Sequence, residues 1–164
     1  YQGGLFSNYL FNEAKVNDLL RIEGPIGTFF LRNTDKSNII FLATGTGIAP
    51  VKAILEQMNE DNTGVLAKNI FLFFGGRFSE DLFWRPEFSN INVNFIPVLS
   101  KKAQDWDGST GYVQDILVSK SINLSDAVVY ACGSENMIND SNKLLMQNGL
   151  SEDSFYSDAF VSTK

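Results

Sequence analysis

Along this chain the apolar residues gather into short continuous runs instead of alternating with polar ones. Four runs stand out: Ile39-Ile40-Phe41-Leu42-Ala43, Ile70-Phe71-Leu72-Phe73-Phe74, Val93-Asn94-Phe95-Ile96 and Ala127-Val128-Val129-Tyr130-Ala131. Continuous apolar character predicts strands covered on both faces, as in a parallel sheet. Between the runs the spacing becomes helical. Val51, Ile54, Leu55 and Met58 fall at i, i+3, i+4 and i+7 and make one stripe. Pro50, just before that stripe, suits a first helical turn, where no N–H is needed. Ser79 followed by Glu80 and Asp81 reads as an N-cap with acids suited to the helix dipole. Val113, Ile116 and Leu117 mark another helix. A last one starts near Ser134, uses Met137, Ser141, Leu144 and Leu145, and stops at Gly149. A closing strand is expected through Phe155–Phe160.

This alternation from about Asn38 onward predicts right-handed βαβ units, and so an α/β fold with a doubly wound parallel sheet of five strands. The beginning of the chain follows a different rule. Leu19-Leu20-Arg21-Ile22-Glu23, Gly24-Pro25-Ile26-Gly27 and Thr28-Phe29-Phe30-Leu31 read as strand, turn and strand of an antiparallel architecture. The polar run Asn33–Ser37 is the expected boundary, dividing the chain into residues 1–35 and 36–164.

Composition narrows the chemistry. With 44% apolar and 20% charged residues among 164, the chain can bury a core. A net charge of −6 speaks against nucleic acid, whose phosphates need clustered Lys and Arg, but leaves room for a basic protein partner. There is no histidine, which excludes a Ser-His-Asp triad, a Cys-His pair and an HExxH zinc site. Cys132 is the one cysteine, so the chain can form neither an internal disulfide nor a four-Cys iron–sulfur cluster, and no metal site is expected. The hard chemical step therefore falls to a borrowed cofactor. A lone cysteine fits a reducing compartment, here the cytoplasm, and no run reaches the roughly 18 apolar residues of a membrane helix. Tyr1 in place of an initiator Met suggests a processed or truncated product.

The most informative segment is Thr44-Gly45-Thr46-Gly47-Ile48-Ala49-Pro50, set between a buried strand and an amphipathic helix. Glycines there let the backbone approach a ligand, and the helix start offers free N–H groups to an anion. The carboxyl end of a strand is also where open α/β sheets bind ligands. The plain alternative is a tight strand–helix turn that needs two flexible residues. The segment is not a GxGxxG match, because Pro50 holds the third glycine position, and no Gly-Lys-Ser/Thr follows to make a P-loop.

Thr44–Pro50 resembles the pyridine-nucleotide motif of the ferredoxin-NADP reductase superfamily, and five other segments agree with it in order. Gly4-Leu5-Phe6-Ser7 resembles the flavin-pyrophosphate GxxS motif, and Gly24-Pro25-Ile26-Gly27-Thr28-Phe29 the turn that ends the flavin barrel. Phe74-Gly75-Gly76-Arg77 with Asp81-Leu82 is similar to the second nucleotide-side loop. Cys132-Gly133-Ser134 with Met137 is similar to the CG-x-x-x-M signature, and Phe155–Phe160 to the closing segment. Within the superfamily, the stretch from Arg21-Ile22-Glu23-Gly24-Pro25 through Leu31-Arg32, and the ending Phe155–Lys164, look most like reductases of CDP-dideoxysugar biosynthesis. Reductases serving ring-hydroxylating oxygenases and free flavin reductases are the alternatives.

The resemblance implies hydride transfer from NADH or NADPH to FAD, then single electrons to an acceptor protein or a [2Fe-2S] domain. Ring alignment matters more than acid–base groups in such a step. It implies pyrophosphate binding by Gly45, Thr46 and Gly47, and Cys132 against the nicotinamide with Gly133 keeping the approach open. Cys132 as a buried small hydrophobe is the alternative. Arg77 would meet the adenosine ribose or a 2′-phosphate, or be an ordinary exposed cation. Glu80 and Asp81 beside it favour NADH. Asp158 and Phe160 would lie near the flavin, although packing alone also explains Phe160. Ser7 with Gly4, Leu5 and Phe6 would take the flavin pyrophosphate. The family's Arg-x-Tyr-Ser motif belongs upstream of Tyr1, so residues 1–35 read as the last strands of the flavin barrel, with weak or no flavin binding expected of the chain alone. Two further readings compete: a nucleotide-binding regulatory module without turnover, and a protein-interaction scaffold. A flavodoxin-like FMN site does not fit, because Thr44–Pro50 is Gly-rich and ends in proline.

Overall fold

The computed structural model describes residues 4–24, 26–61, 68–101 and 105–159. In chain order these form a short helix α1 (Leu5–Asn8), continued as a π-helical turn over Tyr9–Glu13, then β1 (Asn38–Thr44), α2 (Ile48–Asp61), β2 (Asn69–Gly76), β3 (Val93–Leu99) and β4 (Ser109–Thr110). α3 (Val113–Ser119), β5 (Ala127–Gly133), α4 (Glu135–Gln147) and β6 (Phe155–Ala159) complete the set. Among the described residues no helix is long and apolar enough to cross a membrane.

The strands make one sheet in the order β4-β3-β2-β1-β5-β6, and every pairing is parallel. The sheet thus has six strands where the apolar runs predict five. The sixth is Ser109–Thr110, two polar residues held by register with Val98 and Leu99, too short and too polar to register as a run. Both faces are covered, which is why the strands read as continuous apolar runs. Ile39, Phe41 and Ala43 point to the face packed by Val51, Ile54, Leu55 and Met58 of α2. Ile40 and Leu42 point to the other, packed by Val113 and Leu117 of α3 and Ile138 and Leu145 of α4. Each large side chain so buried contributes about 1.5–3 kcal/mol. Pro97 is tolerated inside β3 because β4 reaches only Val98 and Leu99, leaving that part of the strand with one neighbour.

Two local expectations differ from the structure. Ser79 starts no full helix: Ser79–Asp81 is a single 3₁₀ turn, closed by the Asp81 carboxylate, which accepts from the Arg77 and Phe78 N–H groups. Leu19–Glu23 and Thr28–Leu31 form no antiparallel strands. A lone hairpin is marginal without further strands or a helix to cover its apolar row, and here Leu19 is 100% exposed, with Ile22 and Ile26 also in solvent. Among the described residues, strand pairing begins at Asn38. The residues just before it are sewn to the amino-terminal edge of the sheet. Ser37 N–H donates to Asp126, Lys36 Nζ to the Ser125 carbonyl, and Lys68 Nζ to the Lys36 carbonyl.

Candidate functional site

The strand order reverses at β1: β2, β3 and β4 follow on one side, and β5 and β6 on the other. In an open α/β sheet this opens a crevice at the carboxyl ends of the two flanking strands. Here the crevice lies between Thr44–Gly47 after β1 and Cys132–Gly133 ending β5. The turn Gly45–Gly47 is a 3₁₀ element that runs directly into α2, so its N–H groups sit at a helix start. The two walls touch. A methyl group on Gly47 would lie 2.1 Å from the Cys132 carbonyl oxygen, and one on Gly133 would lie 2.1 Å from Thr44 Oγ1. Glycine at 47 lets its backbone pack against that of Cys132, and glycine at 133 leaves room for the Thr44 and Met137 side chains.

A cavity of about 820 Å³ opens from this floor. Thr44, Gly45 and Thr46 line it from β1; Gly75, Gly76 and Arg77 from the end of β2; and Ser134 and Met137 from the β5–α4 connection. Three of the segments singled out in the sequence therefore meet in one space, although 30 to 60 residues of chain separate them. Ser134 caps α4, its Oγ accepting from Met137 N–H at 3.3 Å, which fixes the helix start that faces the cavity. Gly47 and Ile48 are buried under the turn, Ala49 and Pro50 continue into α2, and none of the four lines the cavity.

Cys132 stands behind the floor and does not line the cavity. Its side chain is wholly buried in the cluster beneath α2. Burial, and secondly the nearby Asp158 carboxylate, push its thiol up to about 12, so it is a neutral SH at any physiological pH. Asp158 pairs in register with Cys132 on the edge strand β6 and is exposed. Phe160 lies outside the described residues. Gly4, Leu5, Phe6 and Ser7 sit in and around α1 and do not line the cavity.

Sequence reasoning did not single out the far wall as part of the site. Gly111, Tyr112 and Gln114, in the turn that opens α3, line the cavity with Ser100, Phe83, Asn136 and Asp140. Tyr112 and Phe83 are 64% and 65% exposed, large rings held open beside a cavity. Gln114 is only 5% exposed, and its Oε1 is buried without a hydrogen-bond partner. An unpaired buried amide oxygen beside an open cavity suits a donor brought by a ligand. The signal for this wall is positional: it follows β4 at the same sheet edge as the other loops. A two-residue polar strand hides that position in the sequence. At the cavity rim the Asp81 carboxylate is held below its usual range, chiefly by the Phe78 N–H and then by the Arg77 N–H, so it is ionised. Lys101 lies over the Phe78 ring at 5.2 Å.

A cavity with a glycine floor, a helix start and exposed rings is what an extended dinucleotide needs. The comparisons with known proteins agree. A family model described as "Oxidoreductase NAD-binding domain" matches residues 41–143, and the chain belongs to that family. It is 40% identical over 165 residues to the CDP-6-deoxy-L-threo-D-glycero-4-hexulose-3-dehydrase reductase of Yersinia pestis, covering 98% of this chain and 49% of that protein. It is 31% identical over 165 residues to a ferredoxin–NAD(P)(+) reductase component of Ralstonia naphthalene dioxygenase and salicylate hydroxylase systems, covering 96% and 49%. Among solved structures, an Amycolatopsis cytochrome P450 reductase superposes with a TM-score of 0.77 at 21% identity, over 98% of this chain and 50% of that one. The fold is thus the nucleotide-binding half of the ferredoxin reductase type, and the chain spans about half the length of the curated relatives it matches.

Proposed function

We propose that the chain is the nicotinamide-nucleotide-binding part of an NAD(P)H-dependent flavoprotein reductase. The observation that carries this reading is the convergence of Thr44–Thr46, Gly75–Arg77 and Ser134 with Met137 on one cavity at the reversal of strand order. The turn N–H groups of Gly45–Gly47 take the pyrophosphate, where a helix start stabilises negative charge. Gly133 lets the nicotinamide lie flat against the end of β5, with the neutral Cys132 sulfur behind it as a polarisable wall. At the other end the rings of Tyr112 and Phe83 flank the adenine, and the Gln114 amide oxygen accepts from the adenosine.

The nucleotide is NADH. Glu80 and the ionised Asp81 stand beside Arg77 in the cavity wall, and carboxylates there disfavour the added charge of a 2′-phosphate. FAD, when bound, accepts the hydride and divides it into single electrons. Gly4–Ser7 binds its pyrophosphate, and Asp158 lies beside its ring. The electrons then pass to an iron–sulfur domain or acceptor protein. The 40% identity favours a role like that of the dideoxysugar reductases over that of the oxygenase reductases. The single free cysteine favours a reducing compartment such as the cytoplasm.

Anaerobic stopped-flow mixing of the full-length, FAD-loaded protein with NADH and with NADPH tests this. Rapid flavin bleaching, faster with NADH, is the expected result. Nucleotide binding without bleaching overturns the reading and leaves a regulatory nucleotide-binding module.

A further inference from the structure

Upstream of its ties to Ser125, Asp126 and Lys68, the segment that leads into β1 is fastened to the nucleotide-binding sheet at Arg32. The Arg32 main-chain N–H donates to the Tyr130 hydroxyl at 2.8 Å, joining residues 98 apart in sequence. The Arg32 guanidinium lies 4.0 Å from the Phe30 ring centroid and 5.1 Å from that of Tyr156, and one of its Nη atoms donates to the Thr28 carbonyl at 3.1 Å. Phe29 meets Tyr130 edge-on at 5.9 Å, and Tyr130 is stacked between Phe41 at 5.5 Å and Tyr156 at 5.3 Å. A phenylalanine at 130 would fill the same space but lose the hydroxyl that accepts from Arg32.

The position of this clamp matters more than its strength. Tyr130 precedes Cys132 by two residues on β5, so both side chains leave the same face, and both belong to the cluster beneath α2. Two residues of strand advance about 7 Å. On β6, Tyr156 pairs with Tyr130 and Asp158 with Cys132. The clamp and the nicotinamide end of the crevice are therefore neighbouring rows of the same two strands. The segment held by the clamp also carries Gly4–Ser7, the flavin-side motif.

We propose that Arg32, Tyr130 and Tyr156 form a positioning clamp that fixes where the flavin-bearing segment leaves the nucleotide-binding sheet, and so sets the approach of the flavin ring to the nicotinamide. This rests on the reductase reading above. Hydride transfer depends steeply on such alignment, and an error of about 1 Å can cost roughly a hundredfold in rate. None of the three residues lines the cavity, so nucleotide affinity is independent of them.

The test compares the unaltered full-length FAD-loaded protein with Tyr130→Phe, Arg32→Ala and Arg32→Lys. Three readouts are taken: the flavin-reduction rate at saturating NADH, the NADH dissociation constant, and the long-wavelength charge-transfer absorbance of the stacked rings. Tyr130→Phe keeps the ring stack and guards against a folding failure. The expected result is a rate at saturation lowered about tenfold in Tyr130→Phe and more in Arg32→Ala, with weaker charge-transfer absorbance and an affinity within about twofold of the parent. Arg32→Lys, which keeps a cation over the rings, should recover part of the loss. Unchanged rates in both Tyr130→Phe and Arg32→Ala overturn the clamp while the reductase reading stands. So does a loss of affinity at an unchanged saturating rate. Failure of the unaltered protein to bleach overturns the reductase reading, and the clamp with it.

Discussion

Replacing Gly47 by alanine adds one methyl group where two backbones already touch. That carbon would stand 2.1 Å from the Cys132 carbonyl oxygen, 2.5 Å from its carbonyl carbon and 2.9 Å from the Gly133 nitrogen. Non-bonded carbons settle near about 3.5 Å, so the Gly45–Gly47 turn and the end of β5 must part by roughly 1 Å. Neither side yields easily. The turn leads into α2, whose Val51, Leu55 and Met58 are buried, and β5 is clamped between β1 and β6. Overpacking of this kind costs about 1–3 kcal/mol. At about 2–4 °C per kcal/mol for a domain of this size, the melting temperature should fall by roughly 2–12 °C. The displaced turn also carries the proposed pyrophosphate amides, so NADH affinity should drop at least about tenfold, the equivalent of about 1.4 kcal/mol. Differential scanning calorimetry and titration calorimetry with NADH measure the two effects. Gly45→Ala is the contrast. Its added carbon meets nothing, but its φ of +54° is left-handed, so it should cost only about 1–2 kcal/mol of backbone strain. A Gly47→Ala protein with parental melting temperature and affinity would refute the close-packed crevice.

Cys132 should resist alkylation by iodoacetamide at pH 8 in the folded protein and react fully once unfolded, as read by intact mass. Because its folded pKa is raised from 9.0 to about 12, the thiol's contribution to stability is complete below pH 9 and lost as pH rises from 9 to 12; Cys132→Ala should remove that part of the alkaline decline. Ser134→Ala removes the side-chain cap of α4 and should cost about 1 kcal/mol in chemical denaturation, with weaker nucleotide binding because the same helix start faces the cavity. Glu80→Gln should raise kcat/KM for NADPH about two- to fivefold with little change for NADH, and the gain should fade in about 1 M salt, where such charges are screened.

The parallel strands and the α2 stripe were legible because burial on both faces leaves a plain mark: Ile39–Ala43 and Ile70–Phe74 carry no polar residue. The near wall of the crevice was legible for a related reason, since glycines at 45, 47 and 133 sit where a strand meets a helix. Three things were not. Ser109–Thr110 is a strand only through register with its neighbour, which local sequence does not encode. Leu144 fits the α4 stripe by spacing, yet it is half-buried while Ile138 takes the core position. Leu19–Glu23 and Thr28–Leu31 have strand-like composition, but a strand needs a partner, and among the described residues they have none. Gln114 escaped notice for another reason: only burial and the orphaned Oε1 distinguish it from any helix glutamine.

The central claim is that the nicotinamide lies with one face against Gly133 and presents the other to the flavin. NADH deuterated at either of the two hydrogens on the nicotinamide C4 tests it directly, through the rate of flavin bleaching in the full-length FAD-loaded protein. One labelled isomer should slow bleaching by a primary isotope effect and the other should leave it nearly unchanged. Equal effects from both isomers, or none from either, would contradict a nicotinamide held in this crevice by the residues described.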